Sequence, residues 1–388
     1  MSTPNSTYDF IITGFGCAGM SFVYHLLDSQ FKNSRILIID SSNKNTNDRT
    51  WCYWAEKPLS IHPKNSPIVS WQNISISIGK KTLKKQLGSL NYFHIKSSDF
   101  YSEIKQRIGL FPNVHFVVDS VSSIENNNAT SVSVNTLGNG TYFGQKIFNS
   151  IPNGPLLPEK NRILRQVFLG WRVKTQNTCF ETDTAVLMNF LGNSNGDTDF
   201  FYLLPFSPTE ALIEYTVFTT EHLDAQKMEF ALQRYISQRL GQEPIEISFK
   251  EAGSIPMTTY AFSKIKHPNI THLGTLAGCS KPSTGYTFHT IQKHCASIVR
   301  ALESKPDQAS LIFNRKKRFS FYDNIILNIA KKWPHELPRV FFNLFEKNSG
   351  PEILRFLNEE TSFIHELKLL SRLKFSIFIK SLLRFEKH

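Results

Sequence analysis

A strand, a glycine-rich turn and a helix follow one another at the start of this chain, and that order narrows the fold more than any other feature. Tyr8–Thr13 (YDFIIT) reads as a short buried strand, and Gly14, Gly16 and Gly19 follow it as G-x-G-x-x-G. An apolar helical stretch runs to Leu27, and Arg35–Ile39 reads as a second strand ending at Asp40, 21 residues past Gly19. A dinucleotide-binding βαβ unit needs this arrangement. Gly14 permits the tight turn, Gly16 lets the backbone approach a pyrophosphate, and Gly19 lets helix and strand pack closely. The helix N-terminus offers free N–H groups and a partial positive charge to the anion. The Asp40 carboxylate is placed to bind a ribose hydroxyl. The N-terminal position favours FAD, although spacing alone also admits NAD, and a plain glycine turn is the bland alternative.

The chain has 388 residues, enough for two domains or one large domain with an insertion. Its net charge of +12 favours anionic partners: nucleic acid, acidic lipid or a phosphorylated cofactor. No nucleic-acid recognition motif accompanies that charge. Cys17, Cys52, Cys179, Cys279 and Cys295 are scattered and lack C-x-x-C spacing, which suits a reducing compartment and argues against disulfides or a zinc site. No signal-peptide pattern and no apolar run of about 20 residues is seen, so a cytoplasmic protein with at most peripheral membrane contact is expected. The 32 phenylalanines fit either an aromatic core or a cavity for a long apolar ligand.

Further along, Phe100–Ile108 reads as helix, Val114–Val118 as strand, and Thr130–Thr136 with Thr141–Phe148 as a hairpin. Val167–Val173, Ala185–Phe190, Phe201–Leu204, Ala211–Phe218 and Ile245–Phe249 read as antiparallel strands, with Met228–Leu240 the helix among them. His272–Gly278 reads as a strand, Ser280–Gly285 as a turn and Thr287–Glu303 as a helix. The Asn/Ser-rich pieces at 41–47 and 125–131 read as loops. The expected architecture is α/β: a Rossmann-like FAD-binding domain (1–60, 90–155 and 268–305), an inserted β-rich substrate domain (61–89 and 156–267), and a helical C-terminal region (306–388) with a membrane-facing side.

Six segments in register give the chain a resemblance to the lycopene cyclase family of FAD-dependent carotenoid enzymes, over nearly its whole length. They are GFGCAG at the first turn, Asp48-Arg49-Thr50-Trp51 with Trp54, Gln166-Val167-Phe168-Leu169-Gly170-Trp171, YLLPFSPTEALIEYT at Tyr202–Thr216, GSIPM at Gly253–Met257, and LGTLAGCSKPSTGYTF at Leu273–Phe288. Three departures stand out: Arg49 and Lys281 occupy positions where the family has histidine, and Ser283 one where it has threonine. The resemblance implies a non-redox reaction. An acid protonates the terminal alkene of a linear carotene such as lycopene, an internal alkene closes the ring on the tertiary cation, and a proton leaves. It also implies reduced FAD as cofactor, kept reduced by NADPH or another reductant.

Within that resemblance, Glu214 is the expected acid–base residue. Its apolar neighbours favour a retained proton, because desolvation disfavours the charged form; alternation outward to solvent is the competing reading. Phe356–Thr361 (FLNEET) looks like the plant version of the same motif, but Glu359 and Glu360 lack the preceding strand and read as solvated helix or turn residues. Arg49 and the segment containing Ala277, Gly278, Pro282, Thr284 and Gly285 are expected at the flavin. Trp51, Trp54, Trp171 and Tyr202 are expected to line the substrate tunnel, with core packing an equal alternative for the tryptophans. At the C-terminus, Lys368, Arg372, Ser376, Lys380 and Arg384 recur at steps of four beside apolar residues. That pattern fits a helix lying on anionic lipid or, equally, a docked terminal helix with a solvated basic face. Arg315-Lys316-Lys317-Arg318 adds to the same basic surface. Rival readings are a redox flavoenzyme of the same architecture, such as an FAD monooxygenase or prenyl-chain reductase, and a non-catalytic cofactor-binding, membrane-docking protein.

Overall fold

The computed structural model describes residues 7–128, 130–152, 163–191, 196–260, 262, 269–304 and 315–388. The chain opens with β1 (Tyr8–Thr13), α1 (Cys17–Leu27) and β2 (Ile36–Asp40). Every residue of β2 is buried, and α1 is apolar almost all round. Such segments are stable only between two layers. Here α1 lies between the sheet and a later helix.

Next come β3 (Thr50–Ala55), β4 (Val69–Trp71), β5 (Asn73–Ile78), β6 (Lys81–Gln86), β7 (Asn91–Lys96), α2 (Ser97–Ile108) and β8 (Val114–Val118). β9 (Val121–Asn128), β10 (Ser131–Thr136) and β11 (Thr141–Asn149) complete the first half. The second half begins with β12 (Arg165–Thr175), β13 (Thr184–Phe190), β14 (Thr198–Ser207), β15 (Glu210–Thr219), α3 (Ala225–Leu240) and β16 (Ile245–Pro256). It continues with β17 (Ile270–His272) and α4 (Phe288–Ser304), then α5 (Lys317–Lys332), α6 (Leu337–Lys347), α7 (Gly350–Leu357), α8 (Phe363–Ser371) and α9 (Phe375–Leu383).

Three sheets result. The first has the order β8-β2-β1-β11-β10-β9, with β17 added to β11. Its β8, β2, β1, β11 and β17 run parallel, while β9, β10 and β11 form the antiparallel hairpins. The second has the order β16-β12-β15-β14-β13-β5-β6 and is antiparallel apart from the β13–β5 pair. One of its faces packs on α3, through Trp171, Phe201 and Ile213 against Leu232, Tyr235 and Ile236. A third, small sheet has the order β3-β7-β4.

Several expectations need correction. Residues 125–128 belong to β9 rather than to a loop, and β17 is only three residues long, followed by a 3-10 turn at Gly274–Ala277. β3 and β7 are strands that the sequence pattern does not announce. Part of segment 61–89 joins the β-rich sheet as β5 and β6, whereas β4 pairs with β7. The single C-terminal helix is broken between Ser371 and Phe375, so the four-residue basic ladder is not one continuous face. Boundaries expected near 156, 267 and 305–306 lie outside the described residues. The C-terminal helices dock on the chain: Trp54 donates its indole N–H to Leu354 O at 2.8 Å, and Phe341, Phe345 and Ile353 share a core with Trp71 and Ile74. No helix among the described residues is long and apolar enough to cross a membrane.

Candidate active site

The three glycines of the first turn have different physical reasons. Gly14 sits at φ +86, and a Cβ there would lie 2.2 Å from Ser150 Oγ. A Cβ on Gly19 would lie 2.0 Å from Gly14 O, so the helix can approach the loop only without a side chain. Gly16 is the opposite case: nothing lies within 4 Å of its would-be Cβ, and it borders a cavity of about 500 Å³. A bare backbone facing open space at a helix N-terminus fits a pyrophosphate. Asp40 is a brace for this loop. Its Oδ2 accepts the Phe15 N–H at 2.6 Å and Oδ1 accepts the Ser42 N–H at 2.8 Å, with Lys44 Nζ 3.1 Å away. It does not border the cavity.

The same cavity reaches the second sheet. In the antiparallel register, Tyr202 of β14 and Gly170 of β12 both stand opposite Glu214 of β15. Directly opposed residues share a face, so Gln166, Phe168, Tyr202, Leu204, Leu212 and Glu214 all line the cavity. Glu214 is part-exposed, but into this cavity. Its Oε1 accepts the Thr216 hydroxyl at 2.7 Å. Burial, with a neighbouring carboxylate adding to it, pushes the Glu214 pKa up to about 8.

That neighbour is Glu251 of β16, which also stands opposite Gly170, from the other side of β12. It is 5% exposed, and burial raises its pKa to about 7 against the opposing pull of Thr50 and Arg49. Tyr202, Gly170, Glu214 and Glu251 thus form one transverse row on one sheet face. Glu251 lies beyond Phe249, where the sequence pattern suggests that the strand ends; extending the alternation through Gly253 is the signal that puts Glu251 on the cavity face.

Aromatic hydroxyls close the site. Tyr92 and Tyr286 lie oxygen to oxygen at 3.1 Å, and Tyr202 lines the same cavity. Burial holds all three well above the ordinary phenol range and raises the Cys52 thiol to about 12, so each keeps its proton. Trp51 borders the cavity and packs on Phe100, Tyr101 and Phe288. Arg49, at the mouth, donates from Nη1 to Ala252 O at 3.3 Å. The turn before α4 contributes Thr284 and Gly285. Gly285 has φ +74, and a Cβ there would lie 2.5 Å from Gln166 Oε1.

Other expected residues are elsewhere. Trp171 follows Gly170 and therefore points through the sheet, into the α3 core under Lys250. Trp54 is 2% exposed and packs edge-on to Tyr286 behind the cavity wall. Ala277, Gly278 and Pro282 support the turn without bordering the cavity. Glu359 is not solvated: it pairs with Lys281 Nζ and Arg315 Nε, each at 3.0 Å. Glu360 pairs at the surface with Lys293. Thr284 also borders a second cavity, about 380 Å³ and overwhelmingly apolar, among α5–α9. At its rim Phe321, Leu367, Phe375 and Leu382 are exposed.

Comparison with known proteins agrees with this architecture. Residues 9–384 match the family described as lycopene cyclase protein. Lycopene beta-cyclase of Pantoea ananas is 25% identical over 287 residues, covering 72% of this chain and 71% of that one. A geranylgeranyl bacteriochlorophyll reductase-like protein from Thermoplasma acidophilum superposes with a TM-score of 0.63 at 13% identity, over 97% of this chain and 99% of that one. Halogenase PltM, solved with phloroglucinol and FAD, gives 0.58 at 12% identity, over 97% and 86%. The fold is thus shared with flavin-dependent enzymes.

Proposed function

The chain belongs to the lycopene cyclase family, and from that premise we propose that it is a lycopene β-cyclase, closing the linear ends of lycopene to β-rings by way of γ-carotene to β-carotene. One observation carries the reading: a carboxyl group that keeps its proton near neutral pH stands on the wall of an aromatic cavity reaching the glycine turn. Gly14, Gly16 and Gly19 would hold the pyrophosphate of FAD, with Thr284 and Gly285 beside the ring. Bound in its reduced form, maintained by NADPH or another reductant, FAD supplies an electron-rich ring that stabilises positive charge.

Glu214 donates its proton to the terminal alkene, and the tertiary cation is attacked by an internal alkene. The carboxylate takes a proton back as the ring double bond forms. Thr216 holds one Glu214 oxygen, which orients the carboxyl. Trp51 and the three tyrosines offer π faces to the cation. Leu204, Leu212 and Phe168 exclude water that would trap the cation as an alcohol. The apolar cavity among α5–α9 supports a second part of the reading: its exposed rim docks on an anionic membrane, where a carotene resides.

Anaerobic incubation with lycopene and reduced FAD tests this. A cyclic product of unchanged mass, without flavin oxidation, is expected. Flavin turnover tied to substrate oxidation or reduction would establish the monooxygenase or reductase reading instead, and an inert carotene the non-catalytic one.

A further inference from the structure

We propose that Glu251 is a positioning residue for this reaction: paired with Glu214 across Gly170, it is the first of the two to ionise and keeps the Glu214 proton in place. This deepens the cyclase reading and rests on it for its catalytic consequence.

The geometry makes the pair. β16 and β15 flank β12, and both glutamates stand opposite the same residue, Gly170. A side chain at 170 would separate them. An added Cβ would sit 3.3 Å from Glu251 Cγ, 3.4 Å from its Oε1 and 3.4 Å from Leu212 Cδ1. Glycine therefore leaves the Glu251 carboxyl folded over the middle strand, towards Glu214. Adjacent strands are about 4.8 Å apart, so the two backbones are roughly 10 Å apart and two glutamate side chains span much of that gap.

The surroundings divide the roles. Glu251 faces Thr50 and Arg49, which favour its carboxylate against the larger effect of burial, with Asp48 opposing them. Its Oε1 is buried and has no hydrogen-bond partner. Glu214 faces Tyr202 from β14, Cys52 from β3, Tyr286 from the turn before α4, and Thr216 and Leu212 from its own strand. None of these is a cation. Two buried carboxylates sharing a site cannot both ionise cheaply. The one with Arg49 and Thr50 gives up its proton first, and the other keeps its own.

This division suits a reaction that borrows a proton and returns it. The Glu214 O–H bond breaks as the new C–H bond forms, and the pair then holds two negative charges beside one carbocation. That excess favours the return step, in which a ring C–H bond breaks and Glu214 regains its proton. No proton, electron or co-reactant is consumed.

The test uses the flavin-loaded protein and the variant Glu251→Gln. Infrared titration of the carboxyl C=O band in wild type should show a group protonated above neutral pH that disappears in Glu214→Gln. In Glu251→Gln that titration should move to lower pH by about one pH unit or more. Cyclisation rates should follow: the ratio of variant to wild-type rate should fall as pH rises, by about tenfold for each pH unit that the titration moves. A ratio constant with pH would show a merely structural role. An unmoved infrared titration would overturn the pairing itself. A shifted titration without any cyclisation in wild type would leave the pair standing and reject the cyclase reading instead.

Discussion

The glycine turn gives a prediction in which two substitutions of the same kind separate. Gly19→Ala places a methyl 2.0 Å from a backbone oxygen that cannot swing away. Relief requires the start of α1 to retreat from the loop by roughly 1 Å, and overpacking of that kind costs about 1–3 kcal/mol. For 388 residues the unfolding entropy is about 0.8 kcal/mol per kelvin, so the midpoint should drop by roughly 1–4 °C. Gly16→Ala meets nothing within 4 Å, and its φ of −83 suits alanine, so stability should change by less than about 0.5 kcal/mol. The methyl would occupy the space a pyrophosphate needs. Losing one charge-assisted hydrogen bond, about 1.5–3 kcal/mol, lowers FAD affinity roughly ten- to hundredfold. Thermal melts without flavin and FAD titration by fluorescence quenching measure both. Wild-type FAD affinity in Gly16→Ala would refute the assignment of this loop to the pyrophosphate.

Three further outcomes are expected. Glu214→Gln should abolish cyclisation while retaining bound flavin, read by carotenoid chromatography and flavin absorbance; near-wild-type turnover would remove Glu214 from its role. Because the folded-state pKa of Glu214 is raised from 4.5 to about 8, the native state binds the extra proton in that window, so thermal stability should fall between pH 5 and pH 8, and Glu214→Gln should flatten that slope. Phe375→Ser with Leu383→Ser, at positions 52% and 82% exposed, should weaken sedimentation with anionic vesicles by roughly tenfold at an unchanged melting midpoint; unchanged sedimentation would reject membrane docking by this face.

What can be read from sequence is local. β1, the glycine turn, α1 and β2 are specified by neighbours within forty residues, and the structure places them as a parallel unit. Period-two alternation carries the strands of the second sheet, but alternation assigns residues to two faces without saying which face is the cavity. Trp171 shows the consequence: it sits next to Gly170 and so on the α3 side. Trp54 depends on Leu354, 300 residues away, and no local pattern announces that contact. The pairing of Glu251 with Glu214 becomes visible only when β16 returns beside β12 after α3, placing a second carboxylate opposite Gly170.

Lys281 shows how the C-terminal helices reach the site. Its ammonium is buried between Asp323 Oδ1 at 3.2 Å and Glu359 Oε1 at 3.0 Å, and Arg315 approaches the same two carboxylates at 3.7 and 3.0 Å. Ser283 donates to Asp323 at 2.6 Å. Two cations and two anions balance, as buried charges must. Glu359 has φ +61, a conformation that is costly for a residue with a side chain, and its two ion pairs offset the strain. The acid of the look-alike motif is therefore a clamp. It ties α5 and the end of α7 to the turn that carries Thr284, and Thr284 is the wall between the apolar cavity and the cavity holding Glu214. The same charges thus hold the helices around the apolar cavity and the turn at the edge of the Glu214 cavity to one another.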